Sequence, residues 1–329
     1  MRLARGFAVA VCLAVAWSSP AAAPGQAEAT HTEIQSIGTS GEGKIGKLAT
    51  LCVAPDDRLL ACDAASKDVK VFDLAGKLKA RWSLPFAPSA ICTAADGAIY
   101  VGGALRLAKL DKSGKVVKAA QVDPDLTGSR GGGHGRFPGG RPPVGSASGM
   151  AVTDKDLFVS FGSGWSTRAK AVIVRFDLQL GGAKRIASNL NGCCQRLDLA
   201  TRDGVLYVAE NCRHRVVTMD RDGRELGTWG RRDRSNVEGF GSCCNPMNLC
   251  FGPRGALYTS ESGLGRVKRY SANGEFQALI GEVGVTRFTR AGHLAASCSN
   301  IAIGVSADGR RIFIQDVKTN GIRVLTSSK

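Results

Sequence analysis

Cysteine is the residue type in this sequence most able to do chemistry, and it recurs in three related segments. The segments are "GCCQRLDLA" from Gly192, "GSCCNPMNLCFGP" from Gly241 and "SCSNIAIG" from Ser297. Thiolates bind soft metals, and adjacent thiols can form reducible disulfides. An exported chain could equally use them in structural disulfides. The candidate metal or redox residues are Cys193, Cys194, Cys212, Cys243, Cys244 and Cys298.

The spacing of these cysteines does not distinguish between metal binding, redox chemistry and structural disulfides. No Cys-x-x-Cys is present, so the sequence indicates no finger, cluster run or haem attachment. The cofactor therefore stays unknown, with a thiolate-bound metal as the one that these residues suggest. Whether the thiols meet depends on the elements that carry them.

The sequence repeats one pattern six times. Each copy has an apolar strand, a turn with Asp or Gly, a second apolar run and an Arg-Val strand that leads to a glycine. A period of about 40 to 50 residues with four short strands per copy is typical of a β-propeller. The sequence therefore predicts an all-β fold, a six-bladed β-propeller. The predicted blades span approximately residues 46–86, 87–125, 146–190, 191–230, 241–281 and 296–329.

The sixth copy ends after its third strand, and the start of the chain offers the missing one. Residues 31–38, "HTEIQSIG", match the fourth strands "RELGTWG" and "EFQALIG" of other copies. We expect this N-terminal strand to close the last blade, which would remove an exposed sheet edge. Residues 125–149 are rich in Gly, Pro and Arg, so they are predicted to form a flexible loop.

The fourth copy carries a family resemblance. Its segment "GVLYVAENCRHRVVTMDRDGRELGTWG", from Gly204 to Gly230, resembles the NHL repeat. The resemblance implies a six-bladed propeller in which the first strand of each blade lines a central channel. The Cys-Cys-Asn-Pro at 243–246 is similar to a blade start in exported bacterial NHL proteins, a subgroup associated with membrane redox partners.

Alignment of the copies sorts the cysteines into two kinds. Cys52, Cys92 and Cys250 share one place on the inner strand, where the other copies have Ala or Gly, and Cys62 lies on a second strand where other copies have Ala or Ser. These four are predicted to be small buried thiols. Cys194, by contrast, directly precedes an inner strand, as do its equivalents in the next two copies.

Two polar residues fall at equivalent inner-strand places, Asp198 and Asn248, and are the candidates for polar groups in the channel. The other copies have Thr50, Ala90, Gly149 and Ala302 there, which are too few oxygens for a calcium cage of the kind that lactonase propellers of related shape use. The four histidines do not occupy blade starts either, so the three-histidine zinc site of the NHL-type peptidyl-amidating lyase is not expected. No catalytic residue is predicted.

Two acidic residues match the acid of the NHL pattern and are followed five residues later by arginine. The pairs Glu210 with Arg215 and Glu261 with Arg266 are predicted to be structural ion pairs within blades. The remaining basic residues are scattered in runs such as "RRDR", "KRY" and "GRR", so a solvated basic surface is expected rather than a nucleic-acid site.

The first 29 residues have the basic start, apolar run and small-residue end of a cleaved signal peptide. Residues 30–329 are then a single propeller domain, secreted or periplasmic, monomeric and without a membrane span. The full sequence has a net charge of +16, and loss of Arg2, Arg5 and Glu28 with the signal peptide leaves the domain basic, so a protein partner or an anionic envelope polymer is expected. The sequence predicts a non-catalytic binding or scaffold module, with an envelope redox protein as one partner class. The alternative is a metal- or thiol-dependent redox protein or enzyme with a cysteine site at the channel mouth of blades 4 to 6.

Overall fold

The computed structural model describes residues 27–128, 145–162, 170–192, 196–242, 244–284 and 300–327. Within these ranges it forms six antiparallel sheets of four strands, arranged as a six-bladed β-propeller. This confirms the all-β prediction. The strands are β1 (His31–Ile37), β2 (Leu48–Val53), β3 (Leu59–Asp63), β4 (Asp68–Phe72), β5 (Leu78–Ser83), β6 (Ala90–Thr93), β7 (Ile99–Gly102), β8 (Arg106–Leu110), β9 (Val116–Gln121), β10 (Ala147–Val152), β11 (Asp156–Gly162), β12 (Ala171–Asp177), β13 (Lys184–Leu190), β14 (Leu199–Arg202), β15 (Val205–Glu210), β16 (Arg215–Met219), β17 (Glu225–Trp229), β18 (Asn248–Phe251), β19 (Leu257–Glu261), β20 (Arg266–Tyr270), β21 (Phe276–Glu282), β22 (Ile303–Val305), β23 (Arg311–Asp316) and β24 (Gly321–Ser327).

The strands follow one another within each blade, and the last blade is completed by the N-terminal strand. Blades 1 to 5 take β2–β5, β6–β9, β10–β13, β14–β17 and β18–β21 in order. Blade 6 is β22, β23 and β24, with β1 paired antiparallel to β24 from His31 opposite Ser327 to Ile37 opposite Ile322. The predicted closure of the ring is confirmed, and it leaves β24 without a free edge.

Each blade is folded by hairpin turns whose residue types fit their backbone. In blade 1 the Asp73 carboxylate accepts hydrogen bonds from the backbone N–H groups of Ala75 and Lys77, and the same type of turn recurs in other blades. The glycine that follows has φ near +87° at Gly114, a conformation that L residues rarely adopt. A Cβ there would also lie 2.1 Å from the ring of Trp82 on the preceding blade. Glycine therefore allows this turn to pack against the neighbouring blade.

The hydrophobic core is divided into six clusters, one between each pair of adjacent blades. The cluster between blades 6 and 1, for example, includes Ile37 from β1, Leu59 from β3 and Phe313 from β23. Burial of one such side chain stabilises the fold by about 1.5 to 3 kcal/mol. The blades are therefore held face to face by apolar packing, and each inner strand contacts the inner strands on both sides.

The loop between blades 2 and 3 is shorter than predicted at both ends. Residues Pro124–Thr127 form the short helix α1, whose N-cap Asp123 accepts a hydrogen bond from the N–H of Asp125. Arg185 of blade 3 donates from Nε to the carbonyl of Leu126 at 2.7 Å, and β10 already begins at Ala147. The rest of the predicted loop, residues 129–144, lies outside the described residues, as do residues 1–26 of the predicted signal peptide.

Two faces of the propeller are distinguished by their connections. We call one side of the ring the upper face. It carries the links from one blade to the next, such as residues 230–247, and the turns between the second and third strands of a blade, such as residues 211–214. The lower face carries the other turns, such as residues 202–204 and 271–275. In the described part of the chain no helix is long and apolar enough to span a membrane.

Candidate functional site at the upper face

The inner strands place the two predicted channel residues at equivalent positions. Asn248 is opposite Ser260 on the second strand of blade 5, just as Thr50 is opposite Cys62 in blade 1. Asp198 holds this place in blade 4, immediately before β14, where its carbonyl accepts from the N–H of Ala209 at 3.0 Å. The sequence alignment of the inner strands therefore agrees with the observed register.

Asp198 and Asn248 are joined directly, across the boundary between blades 4 and 5. The Nδ2 of Asn248 donates to Oδ2 of Asp198 at 3.2 Å, and the N–H of Leu249 donates to the same oxygen at 2.8 Å. The Oδ1 of Asn248 in turn accepts from the N–H of Ile301 in blade 6 at 3.0 Å. One carboxylate and one amide thus link three consecutive blades.

Two further members of this network, Asn300 and Gln315, were not among the residues predicted from the sequence. Asn248 also donates from Nδ2 to Oδ1 of Asn300 at 2.9 Å, and Asn300 donates to Oε1 of Gln315 at 3.0 Å and to the carbonyl of Ala49 at 3.0 Å. The Nε2 of Gln315 donates to the carbonyl of Leu48 in blade 1 at 2.8 Å. The network therefore runs through blades 4, 5, 6 and 1. A polar residue just before an inner strand was the one available signal for Asn300.

The carboxyl group of Asp198 holds its proton unusually well. Burial raises its pKa from 3.8 to about 6, although the hydrogen bonds from Leu249 and Asn248 favour the charged form and oppose that rise. A carboxyl group with a pKa near neutrality can be a proton donor or acceptor, but it can also be a structural group in a poorly hydrated wall. The Oδ2 of Asp198 accepts hydrogen bonds from the side chain of Asn248 and from the backbone of Leu249, which hold it against blade 5.

The cysteines of the upper face are only partly within the described residues. Cys193, Cys194, Cys243 and Cys298 lie outside them. Cys212 is exposed in the turn between β15 and β16, and Cys244 is buried directly before Asn245. The N–H of Cys212 donates to the carbonyl of Asn191 at 3.2 Å, and Nδ2 of Asn211 donates to the carbonyl of Arg196 at 2.9 Å. Asn191 and Arg196, which lie on either side of residues 192–195, therefore both contact the turn that carries Cys212.

The four predicted buried thiols fall into two pairs. Cys62 and Cys92 are buried, whereas Cys52 and Cys250 are half-buried and pack against the core clusters between blades 1 and 2 and between blades 5 and 6. Both lie on inner strands, where one side of the strand faces the centre of the ring. Burial, and then the neighbouring Cys250, raises the pKa of Cys52 far above its ordinary value, while burial and the charge of Asp198 raise that of Cys250 to about 12. These thiols remain protonated at neutral pH.

The ion pair predicted in blade 4, between Glu210 and Arg215, is present in the structure. Glu210 is fully buried, and Arg215 donates from Nε to its Oε2 at 2.6 Å. The N–H of Asn191 donates to Oε1 of the same carboxylate at 2.9 Å. Glu210 therefore fixes the end of β15 to the connection that leaves β13.

The ion pair predicted in blade 5 is wrong. Glu261 pairs with Lys268, whose Nζ lies 2.6 Å from its Oε1, and Arg266 pairs with Glu282 at 2.9 Å. Arg266 lies directly opposite Glu261 in the register, and Lys268 is two residues further along β20. Residues two apart on a strand share a face, so Lys268 lies on the same side of the sheet and contacts Glu261. The equivalent place in blade 4 is occupied by Val217, which leaves Glu210 to the arginine directly opposite it.

Lys268 was assigned to the solvated "KRY" run, yet it is fully buried. It donates to the carbonyls of Val237 at 2.9 Å and Gly239 at 2.6 Å, and lies 4.7 Å from the centre of the Phe240 ring. Burial lowers its pKa, while Glu261 opposes that change. Lys268 therefore fastens the upper-face segment 231–242, which we call the basic strap because it begins with "RRDR", to blade 5.

The chain is similar in fold to several solved structures. A calcium-binding protein, regucalcin, from Agrobacterium tumefaciens is 14% identical, with 89% of this chain and 93% of that chain covered and a TM-score of 0.55. A putative gluconolactonase is 11% identical, with coverages of 89% and 92% and a TM-score of 0.55. A streptogramin B lyase is 12% identical, with coverages of 86% and 95% and a TM-score of 0.51. The likeness is one of fold. By sequence, neither a protein family nor a curated protein matches the chain.

The upper face of this six-bladed propeller therefore combines a closed polar network with a fastened basic segment. Among the residues that the structure describes, no three or more His, Cys, Asp or Glu side chains are grouped as metal ligands. The polar side chains at the inner strands bond to one another and to the backbone. On the side of blades 4 and 5, the exposed residues of this face include Cys212, Arg213 and the three arginines of the basic strap.

Proposed function

We propose that this protein is an exported, non-catalytic binding module of the NHL type that engages an acidic protein partner or anionic envelope polymer through its upper face. The observation that carries the proposal is the hydrogen-bond network at the inner strands. A side chain that acts on a substrate needs donors or acceptors that the substrate can use. Asp198, Asn248, Asn300 and Gln315 instead give theirs to neighbouring blades.

The basic strap supports the choice of partner chemistry. Arg231, Arg232 and Arg234 are exposed on it; of its two carboxylates, Asp233 pairs with Arg231 at 3.6 Å and Glu238 lies nearer the other end of the strap. Lys268 holds the far end of the strap in place, so little conformational entropy is lost when a partner binds. A positive, preorganised surface attracts acidic partners and increases their association rate.

Site-specific crosslinking in the exported protein tests this proposal. A photoreactive amino acid at position 232 on the basic strap should capture one partner in stoichiometric yield, and the same group at Arg224 on the lower face is the matched control. Equal capture from both positions would contradict the proposed face. N-terminal sequencing of the exported chain tests the predicted export, with cleavage expected after Ala23 or Ala29. An uncleaved chain would contradict that part.

Catalysis by the network is the outcome that would overturn the non-catalytic proposal. Lactone hydrolysis and streptogramin B cleavage, the activities suggested by the names of the fold neighbours, should be undetectable with this protein. Turnover that is lost in both Asp198→Asn and Asn248→Ala, with the fold retained, would assign the inner-strand residues to catalysis instead.

The alternative function is a metal or redox site formed by cysteines. The contacts at the turn that carries Cys212 favour this alternative. Asn191 and Arg196, which precede and follow the segment of Cys193 and Cys194 in the sequence, both contact the turn of Cys212. Metal analysis and thiol counting on protein exported by its host separate the two functions. Stoichiometric metal that is lost in Cys244→Ser or Cys212→Ser would establish the alternative, whereas fully bridged cysteines without metal would leave the binding module.

A further inference from the structure

A cavity of about 890 Å³ opens on the lower face, on the opposite side from the proposed partner surface. It is formed by turns of three blades, at residues 202–205 in blade 4, 253–256 and 271–273 in blade 5, and 308–309 in blade 6. Sites for small molecules commonly have volumes of about 300 to 1,000 Å³. The size and the convergence of three blades make this cavity a candidate ligand site.

Three arginines line the cavity, and two of them have no anionic partner. The Nε of Arg269 is buried and has no hydrogen-bond acceptor. Arg254 forms no ion pair within the described ranges. A buried donor without an acceptor destabilises the fold, and more so when the donor belongs to a charged group. An oxyanion in the cavity would supply the missing acceptors, because guanidinium groups bind carboxylate and phosphate through paired hydrogen bonds.

The two carboxylates of the cavity do not fill this role. Asp203 is paired with Arg202 at 2.9 Å, and its side chain is turned to solvent. One oxygen of Asp308 already accepts from Oγ of Ser306 at 2.6 Å and from the N–H of Arg310 at 2.9 Å. Three arginines against two aspartates also leave the cavity with a net positive charge.

A glycine makes room for the third arginine. A Cβ at Gly255 would lie 0.8 Å from Nη1 of Arg202, so any side chain at 255 would displace that guanidinium. Arg202 crosses from blade 4 over the Phe251 ring of blade 5, with 5.8 Å between its guanidinium carbon and the ring centre. The guanidinium groups of two blades can therefore share the space of one cavity.

The remaining polar lining indicates what else the ligand carries. Asn273 and Gln277 contribute amide groups that have no partner within the described ranges, and Ser271 adds a hydroxyl. Amides and hydroxyls bond well to hydroxyl groups, as donors and as acceptors. We propose that this cavity binds a hydroxyl-bearing organic oxyanion, of the sugar-acid or sugar-phosphate class. This site is independent of the partner-binding function proposed for the upper face.

Calorimetric titration of the full exported chain tests the proposal. The probes are glucuronate and glucose 6-phosphate, with glucose as the uncharged control. At least one of the two anions should bind while glucose does not, and binding should weaken as salt is raised. Preference for one anion identifies its carboxylate or phosphate as the recognised group. Absence of binding by both anions, or equal binding of glucose, would overturn the proposal.

Variants locate the binding. Arg269→Gln and Arg254→Gln should each weaken the affinity at least tenfold, whereas Arg224→Gln, an exposed arginine on a different turn of the same face, should leave it unchanged. Arg254 is exposed, so its variant tests the site even where the change at Arg269 impairs folding. Unchanged affinity in Arg254→Gln and Arg269→Gln, or an equal loss in Arg224→Gln, would refute the assignment.

Two glycines provide a second, matched test. Gly255 has φ +73° and Gly204 has φ +76°, so alanine at either position meets the same backbone cost, but a Cβ at Gly204 has nothing within 4 Å. Gly255→Ala should weaken binding at least tenfold through the displacement of Arg202, and Gly204→Ala should not. Equal affinities of these two variants would show that Arg202 is not part of the site.

Discussion

The raised pKa of Asp198 leads to a prediction that tests whether this residue has a structural or a catalytic role. In Asp198→Asn the amide cannot ionise, but its oxygen can still accept from the N–H of Leu249 and from Nδ2 of Asn248. The substitution therefore removes the charge and keeps the geometry. We expect the variant to be at least as stable as the wild type at neutral pH.

The magnitude follows from the pKa. Each unit of pKa corresponds to about 1.4 kcal/mol, so a rise from 3.8 to about 6 means that the folded state carries a penalty of about 3 kcal/mol once Asp198 is ionised. The folded state holds the proton more tightly than the unfolded state. Its stability therefore falls as pH rises through the window from about 4 to about 6, and is constant above it. Asp198→Asn lacks this loss.

Urea unfolding followed by circular dichroism measures the effect. The free energy of unfolding of Asp198→Asn, relative to wild type, should increase by about 2.5 kcal/mol between about pH 4 and about pH 8. Other titrating groups cancel in this difference, and Asp154→Asn, an exposed aspartate, serves as the control. A difference that does not change with pH would refute the buried carboxyl. The carboxyl resonance of Asp198 in an NMR titration gives the pKa directly.

Three further predictions concern the framework. Lys268→Ala should lower the free energy of unfolding by about 3 to 5 kcal/mol, because it leaves the charge of Glu261 buried without a partner; a loss below about 1 kcal/mol by urea unfolding would contradict the ion pair. Deletion of β1 should expose the edge of β24 and produce aggregates in size-exclusion chromatography, so a monomeric, folded product would show that the closure is dispensable. Cys62, which has no exposed surface and a pKa raised by burial, should resist iodoacetamide in the native protein and react once it is unfolded; rapid native labelling would contradict its place in the core.

The ring architecture could be predicted because its signals are local and repeated. The aspartate and glycine of each hairpin turn recur at regular spacing, and they set the register of the strands on either side. For this reason the alignment placed Thr50 and Asn248 at equivalent positions before their partners on the second strand were known. The closing strand β1 was predictable for the same reason, since "HTEIQSIG" repeats the pattern of other fourth strands.

The polar interior could not be predicted because it depends on contacts between blades. Lys268 lies in a run of basic residues, and only the basic strap that folds over it turns this position into a buried one. Asn300 and Gln315 are ordinary polar residues in the sequence, and they join the network through bonds to blade 5 at Asn248 and to blade 1 at Leu48. Likewise the cavity arginines come from different blades, so no segment of the sequence contains the site.

The side-chain hydrogen bonds between adjacent blades explain why residue 198 is an aspartate. At three of the six boundaries between described blades, a side chain on the second strand donates to a carbonyl at the start of the next blade. Oγ of Ser160 donates to Leu197 at 2.7 Å, and Oγ of Ser260 donates to Ile301 at 2.7 Å. Gln315, at the same place in blade 6, reaches Leu48 in blade 1.

The boundary between blades 4 and 5 lacks such a donor. Blade 4 has Ala209 where blade 5 has Ser260, as the register of the second strands shows. Here the link is reversed, because the carboxylate of Asp198 accepts from the N–H of Leu249. An acceptor at this place explains the position of Asp198 at the blade boundary, where desolvation of its carboxyl group raises its pKa. Ala209→Ser should therefore add a second link across this boundary, and the double variant with Asp198→Asn should be no less stable at neutral pH than Asp198→Asn alone.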